Sequence, residues 1–166
     1  MSEAENQSNT LSIRPAEESD AELLWHWAND ASVRARSFNP EPISWESHLG
    51  WFRRRLASPE TKFYLLLENN IPVGQIRYDL DESRESAIIG FSVAGEHRGK
   101  GFGVEILRQT VGEAVRELKC REIVGIVIEG NEASSKAFLR AGFTNKGETE
   151  IDGKRASRFV WKPAKS

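Results

Sequence analysis

Ala87-Ile88-Ile89-Gly90-Phe91-Ser92-Val93, followed by Ala94-Gly95-Glu96-His97-Arg98-Gly99-Lys100-Gly101-Phe102-Gly103, is the stretch on which the fold turns. Its first seven residues form a largely apolar run bounded by turn formers, the pattern of a strand covered on both faces. From Gly103 to Leu118 the side chains Val104, Leu107, Val111, Ala114, Val115 and Leu118 recur every three or four positions, which predicts a long amphipathic helix. Strand, glycine loop and helix in that order bring a helix N-terminus and several free backbone N–H groups to one point, where anions are attracted. Glycine reaches positive φ and puts no Cβ in the way, so main-chain donors can close on phosphate oxygens while Arg98 and Lys100 add charge at the rim. The same glycines serve equally in a tight strand-to-helix turn with the basic pair in solvent. Spacing excludes two phosphate motifs. Only three residues separate Gly95 from Gly99-Lys100, and Gly101 stands where a mononucleotide P-loop needs Ser or Thr. No third glycine follows Gly101-Phe102-Gly103 at the dinucleotide spacing.

Outward from this stretch, Thr10 to Pro15 predicts a first strand, and Ser19 or Asp20 caps a helix carrying Leu23, Leu24, Trp27 and Ala28. Asn29 to Pro42 reads as irregular. Ser44 opens a helix with Trp45, Leu49, Phe52 and Leu56 on one face, ended by Pro59. Lys62 to Glu68 and Pro72 to Leu80 are strands joined by Asn69-Asn70. Downstream, Glu122 to Ile128 is a strand and Glu132 to Ala141 a short helix with Gly142 as its C-cap. Phe143 to Ile151, Asp152-Gly153 and Ala156 to Trp161 make a terminal hairpin. Hairpins interrupted by crossover helices imply an α+β domain, a mixed sheet flanked by helices. We assign residues 10–161 to one domain, 1–9 to a flexible tail and 162–166 to a C-terminal tail.

Composition narrows the function. Hydrophobic residues make up 39% and charged residues 29% of the 166, with a formal net charge of -2, a globular profile without the basic excess of a nucleic-acid-coating protein. Cys120 is the one cysteine, so neither an internal disulfide nor a multi-cysteine zinc site can form, and it reads as a small buried filler or a reactive thiol. His26, His48 and His97 lack ligand spacing, so no metal is expected. Met1 to Asn9 lacks the features of a signal peptide, and no apolar run approaches the roughly 18 residues of a membrane span. A cytoplasmic protein with no nucleic-acid or membrane partner is the expectation.

Two motifs resemble the GNAT superfamily of acyl-CoA-dependent N-acyltransferases. Arg98, Gly101 and Gly103 match Arg/Gln-x-x-Gly-x-Gly/Ala at the head of a long helix, and Asn131-x-x-Ser134-x-x-x-Phe138-x-Arg140-x-Gly142-Phe143 is similar to the family's Asn-x-x-Ser helix and closing Gly-Phe. The resemblance implies a mostly antiparallel sheet with two splayed parallel central strands and acetyl-CoA as co-substrate. It places the pyrophosphate on Arg98, Gly99, Lys100, Gly101, Phe102 and Gly103, pantetheine between 87–93 and 122–128, and a backbone contact from Val93 near the thioester. Asn131, Ser134, Phe138 and Arg140 would face the coenzyme from the other side. Read from the residues alone, Asn131 is equally a helix N-cap.

Many family members carry a tyrosine as general acid where this chain has Phe138, and a phenyl ring cannot donate a proton. The thiolate is a tolerable leaving group with a pKa of about 8.5, so the substitution weakens catalysis without abolishing it. Candidate bases are His48 and Glu85, then Glu46 and Asp79; each also reads as a surface residue or as the finish of a helix face. Trp25, Trp27, Phe38, Trp45, Trp51 and Phe52, with Arg34, Arg36 and Arg53-Arg54-Arg55, can form an aromatic and basic acceptor pocket or serve as core and solvated face. Trp27-x-Asn29, Val33-Arg34 and Pro42-Ile43-Ser44-x-x-x-His48-Leu49-x-Trp51-Phe52 resemble acetyltransferases that modify the 4-amino group of UDP-linked amino sugars in pseudaminic acid synthesis. That resemblance implies a small-molecule amine acceptor, a nucleotide sugar. Acetylation of a protein N-terminus or polyamine, a non-catalytic acyl-CoA sensor, and a homodimer stay open.

Overall fold

The computed structural model describes residues 10–164. The expected N-terminal tail, and Lys165 and Ser166 of the C-terminal one, lie outside the described residues. Seven strands form one sheet: β1 (Leu11–Pro15), β2 (Thr61–Glu68), β3 (Ile71–Leu80), β4 (Ser86–Val93), β5 (Glu122–Ile128), β6 (Thr144–Ile151) and β7 (Lys154–Trp161), in spatial order β1-β2-β3-β4-β5-β7-β6. Every neighbouring pair is antiparallel except β4–β5. The expected α+β fold is therefore present.

Local chemistry explains the hairpins. Asn69 and Asn70 have φ of 52° and 70°, and Asp152 and Gly153 have 52° and 78°. Two successive positive φ values define the hairpin turn whose twist matches the flanking strands, and Asn, Asp and Gly tolerate them best. β2 is buried from Phe63 to Leu67 because both faces of the sheet are covered. Phe63 and Leu65 point to α1 (Ala21–Ala28) and α3 (Trp45–Ala57), in a cluster with Leu24 and Phe52. Tyr64 and Leu66 point the other way, into the larger core under α4 (Phe102–Leu118) and α5 (Glu132–Arg140). Within that core Thr110 donates its one hydroxyl hydrogen to the Ile106 carbonyl at 2.6 Å, so the Tyr78 hydroxyl is the donor in its 2.7 Å bond to Thr110.

Two local expectations change. Asn29 to Pro42 contains a short helix, α2 (Ala31–Ala35), because the Asp30 carboxylate accepts from the Ser32 and Val33 amides as N-cap. Asp20 does not cap α1 with its side chain; its carboxylate turns back to form two 2.8 Å bonds with the Arg14 guanidinium. Of the two readings of Cys120, the small filler holds: the residue is buried, and burial pushes its thiol pKa up. Ser44 caps α3 as expected, accepting from the Ser47 amide.

The feature that makes a site is the incomplete pairing of β4 with β5. Only Ser86, Ala87 and Ile88 pair with Glu122, Ile123 and Val124; beyond them the strands diverge. Ala94 N–H bonds to Val73 O, so the neighbouring pair Val93–Gly74 is of the non-hydrogen-bonded kind, and the Val93 backbone groups point into the gap. The base of the gap is filled by Phe138, whose ring lies 5.3 Å from Phe91, 4.9 Å from Phe143 and 5.4 Å from Phe159. Among the described residues, no helix is long and apolar enough to cross a membrane, and no cluster of three or more His, Cys, Asp or Glu side chains is placed to hold a metal.

Candidate functional site

Two cavities meet where β4 and β5 part. The first, of about 400 Å³, lies over the head of α4. Gly99 and Gly101 both take φ of 81°, and Gly101 is the N-cap of α4 with no side chain capping the helix. The first-turn amides therefore face an open space, and a 17-residue helix directs its positive end there. Nothing lies within 4 Å of a Cβ built at either glycine, so it is the left-handed backbone, not crowding, that calls for glycine there. Arg36, His97, Arg98, Lys136 and Arg140 line this cavity, and among the described residues no carboxylate does. It is an anion site by backbone and side chain alike.

The second cavity, of about 580 Å³, sits against α1 and α3 and shares Val33, Phe91 and Ser92 with the first. Trp27, Trp51, Phe63 and His48 supply its apolar wall; Arg34, Arg54 and Arg77 supply charge, again with no carboxylate among the described residues of the lining. The segment between α2 and α3 is built around two polar hubs. Asn29 bonds Ile43 through both its amide atoms, to the carbonyl at 2.9 Å and from the N–H at 2.8 Å. Arg34 donates to the carbonyls of Ala28, Asn39 and Glu41 and to the Ser37 hydroxyl. These two motif residues thus shape the wall of the cavity; Arg34 has spent its donors on the loop.

Most of the expected coenzyme residues come together. Val93, Arg98, Gly99, Gly101, Phe102, Gly103, Asn131, Ser134 and Arg140 all line the first cavity. Asn131 caps α5, its Oδ1 accepting from the Ser134 amide at 3.3 Å. Arg98 is less free than expected: it donates to Val93 O at 3.2 Å and Ser32 Oγ at 2.6 Å, and its NH2 lies 3.5 Å from Asp30. It ties α2 to the end of β4. A serine hydroxyl, with Arg98 as a further cation, holds the Asp30 carboxyl below its usual pKa. Lys100 does not line the cavity. Phe138 does not either; it is 2% exposed beneath it.

The proposed bases fare differently. Glu85 precedes the first residue of β4 and is exposed, 3.9 Å from Arg121. Eight residues of extended chain separate it from Val93, about 26 Å, so it stands at the wrong end of the strand. His48 does line the second cavity, but it is 3% exposed and its Nε2 donates to Ala21 O at 2.9 Å. Burial lowers its pKa, and the Ala21 bond only partly opposes this. Asp79 accepts from Thr61, Arg55 and Arg77, and Glu46 is an exposed residue in the first turn of α3. The chain has two tyrosines, and both are buried in the core under α4 with hydroxyl pKa values raised by burial. Neither replaces the hydroxyl that Phe138 lacks.

Sequence reading missed Gln75, Arg77, Ser92 and His97. Gln75, Arg77 and Asp79 form a polar stripe at every second residue of a strand with apolar neighbours, which is the signal of a polar face. It was legible, but a strand bordering solvent reads the same way.

A model of the acetyltransferase (GNAT) domain matches residues 10–144. The chain belongs to the GNAT acetyltransferase family. Among curated proteins, this GNAT chain is 31% identical over 68 residues to an uncharacterized N-acetyltransferase, YoaA, of Bacillus subtilis (strain 168). That match covers 41% of the chain and 38% of YoaA. Solved structures share the fold. The aminoglycoside acetyltransferase AAC(6')-Ib with coenzyme A superimposes with a TM-score of 0.79 at 17% identity, covering 92% of this chain and 95% of that one. YncA, a putative acetyltransferase from Salmonella typhimurium holding acetyl-CoA, gives 0.79 at 21% identity with 93% and 94% covered. Spermidine N-acetyltransferase from Vibrio cholerae with CoA and spermine gives 0.79 at 17%, with 92% and 95% covered. These three solved structures, each holding acetyl-CoA or coenzyme A, share the fold of this GNAT domain.

Proposed function

We propose that the protein transfers the acetyl group of acetyl-CoA to the primary amine of a small-molecule acceptor, and that this acceptor is a UDP-linked amino sugar modified on its 4-amino group. The first cavity suits the coenzyme pyrophosphate on the amides at the head of α4, with Arg140 and Lys136 at its rim. The gap between β4 and β5 then receives the pantetheine arm. The acceptor nitrogen attacks the thioester carbonyl directly; the Val93 N–H, already turned into the gap, meets the developing oxyanion, the C–S bond breaks, and the departing thiolate takes up the proton that the nitrogen releases, leaving an amide and the free thiol.

The observation that carries the acceptor class is the lining of the second cavity: Arg34, Arg54, Arg77 and two tryptophans, with no Asp or Glu among the described residues. A polycation entering it would gain no carboxylate partner and would meet three guanidinium charges. A ring linked to phosphates finds both stacking surfaces and counter-charges. Acetyl-CoA turnover with a panel comprising a UDP-linked 4-amino sugar, spermidine, kanamycin and an N-terminal peptide tests this. Turnover on the nucleotide sugar is expected. Preference for spermidine or kanamycin would overturn the acceptor reading, and coenzyme binding without turnover on any amine would make the protein a sensor.

A further inference from the structure

The acceptor cavity has a feature that its overall charge does not explain. Arg77 and Gln75 stand two residues apart on β3, facing Gly90 and Ser92 on β4. The Arg77 guanidinium is held on three sides. Its Nε bonds Asp79 Oδ2; its Cζ lies 4.8 Å from the centre of the Trp51 ring; and a Cβ built on Gly90 would come within 3.0 to 3.5 Å of NH2, Cζ and NH1. The group is thus clamped flat between an indole and a strand backbone, in a place only a glycine leaves open. Among the described residues its NH1 and NH2 make no hydrogen bond, and both belong to a cavity-lining side chain. A planar fork fixed in this way, with its two terminal nitrogens unspent, is the arrangement that binds phosphate or carboxylate through two parallel bonds.

Gln75 is the complement. Its Nε2 donates to Ser92 Oγ at 3.0 Å, while its Oε1 is buried and accepts from nothing among the described residues. A buried amide oxygen without a donor is costly to leave so. Ser92 lines both cavities and immediately precedes Val93, so this oxygen lies at the end of the acceptor cavity nearest the thioester position. The residues opposite the two groups, Gly90 and Ser92, are two strand positions apart, about 7 Å.

We infer that Arg77 and Gln75 form a two-point clamp that selects amines which also carry an anionic group, the anion on Arg77 and the amine hydrogen on Gln75 Oε1. The inference rests on the acceptor reading above and sharpens it. A polyamine has no anion to offer. A sugar that carries both an amine and a diphosphate offers a group to each point.

The test uses protein saturated with coenzyme A, so that the first cavity is filled, titrated with UDP and with inorganic pyrophosphate by calorimetry and tryptophan fluorescence. Wild-type protein is expected to bind UDP, with Arg77→Met weakening it roughly tenfold or more and Arg77→Lys falling between. Gly90→Ala is the second variant: its methyl meets only the far end of the Arg77 side chain, so the fold is kept while the fork is displaced and UDP affinity drops. Gln75→Leu should leave UDP affinity within about twofold of wild type. It should, however, erase the preference for a UDP-linked 4-amino sugar over its 4-hydroxy counterpart. No UDP binding by the coenzyme-loaded protein, unchanged UDP binding by Arg77→Met, or an undiminished amine preference in Gln75→Leu each overturns the clamp. UDP binding that depends on Arg77, without acetyl transfer to any amine, would leave the clamp standing and remove the transferase reading instead.

Discussion

Replacing Gly125 by alanine tests the part of the structure that bears most directly on catalysis. Gly125 is the first residue of β5 beyond its pairing with β4, and the tip of the Phe138 ring points at it. A Cβ there would fall 2.3 Å from Cζ, 2.6 Å from Cε1 and 2.9 Å from Cε2. Ordinary contact begins near 3.4 Å, so the ring must retreat by about an ångström. It has nowhere to go, being packed against Phe91, Phe143 and Phe159 at 2% exposure. Overpacking of this kind costs about 1–3 kcal/mol. Phe138→Leu withdraws the ring tip, so Gly125→Ala should cost much less in that background, with a coupling of about 1 kcal/mol or more. Urea unfolding followed by tryptophan fluorescence on the four proteins of the cycle measures it. A Gly125→Ala protein within about 0.5 kcal/mol of wild type, or an additive double mutant, would refute the packing described. The same geometry gives a consequence for activity. A hydroxyl added at Cζ by Phe138→Tyr is driven into the Gly125 backbone, so restoring the family's tyrosine should destabilise the protein and leave turnover no faster.

Gly101→Ala separates binding from stability: with no atom near the new methyl, the left-handed backbone alone costs about 1–2 kcal/mol, while coenzyme A affinity by calorimetry should fall roughly tenfold or more as the α4 amides are shielded. Undiminished affinity would remove the loop from the coenzyme site. His48 has a lowered pKa in the fold, so its neutral form is favoured; its contribution is complete above the unfolded pKa of about 6.5 and is lost as pH falls toward the folded value. The melting temperature should therefore drop between about pH 7.5 and pH 5, and His48→Gln, which keeps a donor for Ala21 O, should flatten that component. An equal slope in the variant would count against it. Tyr78→Phe removes the hydroxyl that donates to Thr110 and should cost about 1 kcal/mol in urea unfolding, since Thr110 Oγ then loses its only donor. A stability equal to wild type would show that the hydroxyl pair is not formed.

What the chain determines by itself is whatever depends on neighbours along it. The period of Val104 to Leu118 makes α4, paired positive-φ residues make the two hairpins, and the glycines at 99 and 101 free the amides at its head. These are short-range effects of backbone sterics and side-chain period, so they survive without knowledge of the fold. Glu85 was misjudged as a base although chain order already sets it eight residues upstream of Val93 on one strand, about 26 Å away when extended. Arg98 was read as a phosphate ligand because its partners, Asp30 and Ser32, lie more than sixty residues away. The placement of Arg77 between Trp51 of α3 and Gly90 of β4, and of Phe138 against Gly125, likewise required strand order and helix docking. Such contacts join segments that no local period relates, and only the folded sheet decides which side chains share a cavity.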